Sequence, residues 1–225
     1  MAQPVLGCQV RSKYDAMFLR RLTLAVIFIL LSAVTLCSQP AFHTAAIARV
    51  NASTVWLDIP ASAGYCTGFV VGPNEVITAA HCIMESNGAV GLLPDDTLWA
   101  NTMIADLTDD LALLHIATGQ RPPVVFRHTA LPDNAVVYAL GYGLGFDRPE
   151  ATQHTVLWQH YAHRTNPTGI YIRGILAHGV SGGPIFDSAG RVIGLAQQSR
   201  EDISYGADAA HIEAFIKEAR QRLAR

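Results

Sequence analysis

Charge is scarce in this chain. Only 15% of its 225 residues are charged, and 16 basic against 18 acidic side chains leave a net charge of −2. So even a balance gives no electrostatic footing for nucleic acid, whose phosphates call for a basic surface. Long apolar runs are scarce as well: the one candidate, residues 22–37, falls short of the roughly 20 residues that cross a bilayer. Repeats, heptads and low-complexity tracts are missing, which excludes solenoids, coiled coils and disordered tails. Cysteine is sparse, with four residues at positions 8, 37, 66 and 82. What the chain does have is apolar material, 50% of its residues, enough for a sizeable core.

Arg20-Arg21 followed by the apolar run 22–37 has the layout of a secretory signal. Residues 1–48 are therefore predicted to be a targeting segment, and a start at Met17 would give a charged region of ordinary length. Ala46-Ile47-Ala48 offers a small-x-small cleavage site, and Thr44-Ala45-Ala46 a looser one. The expected location is extracytoplasmic, with membrane attachment only through an uncleaved N-terminal segment. Cys66 and Cys82 remain in the mature chain. In an oxidising compartment the pair reads as a disulfide, with two buried thiols or a metal pair as alternatives.

From Val50 onward short β-branched runs alternate with turn residues. Thr54 to Ile59 ends at Pro60, Thr67 to Val71 ends at Gly72-Pro73-Asn74, and Val76 to Ala80 follows. Later runs are 111–116, 136–140, 155–160, 169–173 and 192–197. Strands at this spacing predict an all-β chain of antiparallel barrels or a sandwich. A terminal helix is predicted from Ile212, Phe215, Ile216, Ala219 and Leu223 on one face, with Asp208 as N-cap. Pro122, Pro123 and Pro132 mark a link within 118–134.

Three segments carry the chemistry. Thr78-Ala79-Ala80-His81-Cys82 offers a base, and Asp109-Asp110-Leu111-Ala112-Leu113-Leu114 a carboxylate. Gly179-Val180-Ser181-Gly182-Gly183-Pro184 offers a serine in a Gly-rich bend. A serine hydroxyl is a poor nucleophile at neutral pH, so it needs a base within reach, and that base needs a carboxylate to fix its tautomer. Histidine titrates in the range suited to taking and returning that proton.

These strings, in the order His, Asp, Ser, resemble the chymotrypsin/trypsin family of serine endopeptidases, in a compact, bacterial-type form. The resemblance extends from about Val50 to the C-terminus. It implies two antiparallel β-barrels packed around a cleft, followed by a C-terminal helix. The peptidase domain would be 49–225: a first barrel at about 50–119, a second at about 120–207 and the helix at about 208–224. It also implies His81 as base, Asp110 rather than Asp109 as carboxylate, Ser181 as nucleophile, and the amides of Gly179 and Ser181 as oxyanion hole. The family closes the His-bearing loop with a disulfide, here Cys66 to Cys82. Leu140-Gly141-Tyr142-Gly143 resembles the cleft side of the second barrel. Gly194-Leu195-Ala196-Gln197-Gln198-Ser199 resembles the strand that pairs with substrate. Ile175, His178, Ala196, Gln197 and Gln198 are the expected substrate-binding residues.

Departures from trypsin narrow the reading. Val180 stands where trypsin has the Asp that pairs with a newly cut N-terminus, so activation by that salt bridge is not expected. Ile175 stands where trypsin has the Asp that selects Arg or Lys, and an aliphatic side chain cannot pair with a buried cation. The expectation is an exported endopeptidase of apolar or small-residue preference, acting on protein or peptide with no metal and no cofactor. The alternatives are a catalytically silent binding protein of the same fold, and a metal site at His154, His160 and His163. Cys82 is not expected to be a nucleophile, since it adjoins the base in sequence.

Overall fold

The computed structural model describes residues 40–84, 86, 90–93, 98–163 and 166–224. The apolar run 22–37, Met17, Cys8 and Cys37 lie outside the described residues. Residues 44–225 form one compact unit. An N-terminal helix, α1 (Pro40–Asn51), was not foreseen. Ala46 and Val50, four residues apart and so on one helical face, are both buried, and Arg49 Nη1 donates to the Ala189 carbonyl at 2.9 Å. Packed residues thus begin inside the stretch expected to be the end of a targeting segment.

The first half is an antiparallel sheet of seven strands. They are β1 (Thr54–Ile59), β2 (Gly64–Gly72), β3 (Glu75–Thr78), β4 (Gly91–Leu93), β5 (Leu98–Trp99), β6 (Thr102–Asp106) and β7 (Leu111–His115). Their order is β5-β4-β1-β2-β3-β7-β6, with a single-turn helix α2 (Ala80–Ile83) after β3. The second half closes into a barrel of β8 (Val136–Gly141), β9 (Glu150–His163), β10 (Asn166–Arg173), β11 (Pro184–Asp187), β12 (Val192–Arg200) and β13 (Ile203–Asp208). The all-β architecture is the expected one. Among the described residues, ring closure belongs to the second half alone.

Strand periodicity explains how the halves join. In β8, Val137 and Ala139 face the barrel interior, while Tyr138 and Leu140 face the core shared with the first sheet. Likewise Ile185 points inward and Phe186 outward in β11, and Val192 outward and Ile193 inward in β12. These strands are covered on both faces, so they read as continuous apolar runs rather than as alternation. The shared core holds Leu57, Phe69, Ile77, Leu111, Leu113 and Leu114, all essentially inaccessible. Each contributes about 1.5–3 kcal/mol of burial. The terminal helix α3 (Ala209–Leu223) lays Ile212, Phe215, Ile216 and Ala219 onto that core. Asp208 caps it as expected, its Oδ1 accepting the His211 amide at 2.9 Å. Arg220 Nε donates to Glu75 Oε1 at 3.0 Å and ties the helix to β3.

Candidate active site

Strands β3 and β7 are neighbours with Thr78 opposite Ala112, so the residues after one strand and before the other must meet. Those residues are His81 and Asp110. Asp106 shapes the turn ahead of β7, its Oδ1 accepting the amides of Thr108 at 2.8 Å and Asp109 at 3.3 Å. Asp110 leaves that turn with φ of +52°, a left-handed conformation rare for a residue with a Cβ. Its Oδ1 accepts the His81 backbone N–H at 2.8 Å, and its Oδ2 lies 2.8 Å from His81 Nδ1. With carboxylate oxygens on that side, Nδ1 carries the proton and Nε2 keeps its lone pair. Asp109 turns the other way, Oδ2 lying 2.7 Å from His211 Nε2.

Ser181 sits on a bend wedged between the two halves. Gly182 has φ of +80°, and a Cβ there would lie 2.1 Å from Thr78 Oγ1 and 2.2 Å from the Thr67 carbonyl. At Gly179, φ is +94° and a Cβ would lie 2.3 Å from the Tyr142 carbonyl. Only glycine fits either position. Thr67, fully buried in β2, was not foreseen and holds the bend from the first half. Its amide donates to the Ser181 carbonyl at 2.9 Å, and its hydroxyl donates to the Gly179 carbonyl at 2.6 Å while accepting the Tyr142 amide at 3.0 Å. The signal available was a hydroxyl within an apolar strand, which must find partners when buried.

Amides along the bend divide into two sets. Val180 N donates to Ala177 O at 3.2 Å, Gly182 N to Ala196 O at 2.7 Å, and Gly183 N to Val180 O at 2.8 Å. Among the described residues the Gly179 and Ser181 amides have no protein acceptor. The Ser181 hydroxyl lies 3.5 Å from the Gln197 carbonyl. Val180 is buried beside Gly141 and Gly143.

His81 and Ser181 line one cleft of about 570 Å³, together with the five residues expected to bind substrate and Leu144, Leu176, Ala177 and Ser199. Ile175 is 65% exposed, so it borders the cleft rather than flooring it. The Tyr205 hydroxyl donates to Gln198 Oε1, and burial, then the negative charge of Asp110, raise that phenol above its ordinary range. Gln197 presents its backbone to the cleft, while its side chain turns toward Asp109 and Asp110.

Cys66 Sγ and Cys82 Sγ are 2.07 Å apart, at disulfide distance, with His81 beside them. His154 is buried between Thr152 Oγ1, at 2.7 Å from Nε2, and the Arg173 carbonyl, at 2.9 Å from Nδ1. Desolvation keeps it below the usual histidine range, with the Arg173 hydrogen bond opposing. Its neighbours account for it as a packed core histidine. The side chains of His160 and His163 lie outside the described residues.

A family model described as a trypsin-like peptidase domain matches residues 66–195. The chain is 31% identical over 141 residues to serine protease Rv3671c of Mycobacterium tuberculosis, covering 57% of this chain and 34% of that protein. It is 30% identical over 143 residues to the chloroplastic protease Do-like 2 of Arabidopsis thaliana, covering 59% and 23% respectively. It thus spans about a third or less of the length of these curated relatives. Among solved structures, the active form of Rv3671c protease superposes with a TM-score of 0.70 at 25% identity, over 80% of this chain and 86% of that one. The HtrA-type protease AlgW with tripeptide, at 18% identity and a TM-score of 0.68 over 78% and 62%, shares the fold.

Proposed function

Because the chain belongs to the trypsin-like peptidase family, we propose that it is an exported serine endopeptidase in which Ser181 is the nucleophile, His81 the general base and Asp110 the carboxylate that orients the base. The observation that carries this is Asp110 gripping both the ring and the backbone of His81, with His81 and Ser181 on one cleft. Nε2 takes the Ser181 proton as Oγ attacks the scissile carbonyl. The oxyanion that forms is received by the two unengaged amides, Gly179 and Ser181, each worth roughly 3 kcal/mol to the transition state. The imidazolium, stabilised by Asp110, returns its proton to the leaving amine. Water then attacks the acyl-enzyme with His81 again as base, releasing the acid and restoring the hydroxyl.

Two finer features follow from the site. Leu144, Ile175, Leu176 and Ala177 border the cleft without a carboxylate among them, which supports apolar or small side chains over Arg or Lys beside the scissile bond. Buried Val180 supports an enzyme that needs no N-terminal ammonium for activity. Export and the Cys66–Cys82 disulfide belong to the same reading, since a bonded pair persists in an oxidising compartment.

A fluorophosphonate probe tests it. The expected result is one adduct on Ser181 in the folded protein and a loss on the order of 10⁶ in kcat for Ser181→Ala. Folded protein that takes no adduct, or a Ser181→Ala variant that still turns over, overturns it.

A further inference from the structure

We propose that Gln197 and His211 are positioning residues for the His81–Asp110 pair, an inference that rests on the endopeptidase reading above. The turn that carries Asp110 needs holding. Its left-handed backbone persists only where the surroundings over-determine it, and the direction of the carboxylate depends on that conformation.

Two side chains from the second half and the terminal helix supply the hold. Gln197 Nε2 donates to the Asp109 carbonyl at 2.7 Å and to the Asp110 carbonyl at 2.9 Å, so one amide group grips two successive peptide oxygens. From the other side His211 Nε2 lies 2.7 Å from Asp109 Oδ2, with the histidine side chain only 9% exposed. His211 is fixed in turn by the cap, since its backbone amide donates to Asp208 Oδ1. The turn is therefore clamped through its carbonyls by β12 and through the Asp109 side chain by α3.

Gln197 also stands beside the nucleophile. Its carbonyl faces the Ser181 hydroxyl at 3.5 Å, and the carbonyl of its neighbour Ala196 accepts the Gly182 amide at 2.7 Å. One residue thus spans the joint between the half that carries the base and the half that carries the serine. The chemistry selects the amide: Leu has no donor, and Glu would set acceptor against acceptor. Both side chains hold the Asp109–Asp110 turn, so both act through Asp110.

The experiment uses the whole chain with Gln197→Leu, His211→Ala and His211→Gln. It measures kcat and KM on a short peptide, the downfield Nδ1–H proton resonance of His81, and the thermal midpoint. Gln197→Leu is expected to lower kcat about 10- to 100-fold at nearly constant KM, and to weaken the resonance. His211→Ala should act in the same direction, and His211→Gln, which keeps a donor toward Asp109, should restore much of the rate. A purely structural role would move the midpoint and leave kcat and the resonance alone. Variants within about twofold of wild type in kcat, with an unchanged resonance, overturn the proposal. If Gln197→Leu does not fold, the His211 pair decides by the same criterion. Wild-type protein that takes no fluorophosphonate removes the endopeptidase reading itself, whereas labelled, active wild type with equally active variants removes only this inference.

Discussion

Replacing Asp110 with Asn exchanges one oxygen for an amide nitrogen at almost constant volume, yet it should abolish nearly all turnover. Asp110 provides two acceptors at once: Oδ1 takes the His81 backbone N–H at 2.8 Å and Oδ2 faces Nδ1 at 2.8 Å. Asn has one. If its oxygen keeps the backbone N–H, its NH₂ group faces Nδ1, which must then be the unprotonated nitrogen. The proton moves to Nε2, and the nitrogen that should accept from Ser181 becomes a donor. If the side chain flips, the NH₂ group confronts the His81 amide, leaving a donor unsatisfied at a cost of about 1–3 kcal/mol. The first arrangement wins, and it holds the wrong tautomer. The same exchange in Ser-His-Asp enzymes lowers kcat about 10⁴-fold, or roughly 5.5 kcal/mol of transition-state stabilisation. Steady-state kinetics on a short peptide at neutral pH, with the fluorophosphonate labelling rate alongside, measures it. An Asp110→Asn variant within about tenfold of wild type would refute the assignment of the base and its tautomer.

Asp187 gives a pH prediction. Burial alone would raise this carboxyl, but hydrogen bonds from the Arg191 amide and side chain, from Arg127 and from the Ala189 amide hold it below its ordinary value of 3.8. A depressed carboxyl stabilises the fold above its unfolded pKa and loses that contribution as pH falls through the folded value. Asp187→Asn should therefore cost about 2–4 kcal/mol near pH 7 in urea unfolding, with the gap to wild type closing only below about pH 4; a gap constant down to acid would contradict the pairing. The proposed Cys66–Cys82 bond would close a loop with a sequence separation of 16. The Cys66→Ser/Cys82→Ser double variant should lose about 3 kcal/mol against the oxidised protein. Equal stability of the two would show that the thiols are not joined in solution.

How much of this was legible depended on whether a requirement was local. Gly179 and Gly182 announce a bend because a left-handed backbone is written into glycine itself, and their neighbours confirm the need. Asp208 announces a cap for the same reason. The strands β4, β5 and β6 carry no such mark. They are short and form only because an edge is offered to each: β4 pairs with β1, β5 with β4, and β6 with β7. Helix α1 was masked by composition: the small residues Ala45, Ala46 and Ala48 suit a cleavage site and a helix alike. What distinguishes the two is the core that receives Ala46 and Val50, and no local string encodes it.

Gln197 marks the limit most clearly. Its place on β12 suggested that it binds substrate, and its backbone does face the cleft. Its side chain instead reaches a turn 87 residues earlier in the chain. Gln197 is the extra residue of a β-bulge, since Ala196 pairs with Gly206 and Gln198 with Tyr205, and its side chain reaches into the joint between the halves, where a buried amide has to find acceptors. The joint offers the carbonyls of Asp109 and Asp110, left open because a left-handed turn leads into β7 rather than continuing a ladder. Thr67 answers the same demand from the opposite side, with a hydroxyl that satisfies the Ser181 bend. The polar residues that tune the site are thus those that a regular strand, at Thr67, and a bulge, at Gln197, place in the joint. Sequence shows that they must find partners there, and only the packing of the two halves decides which.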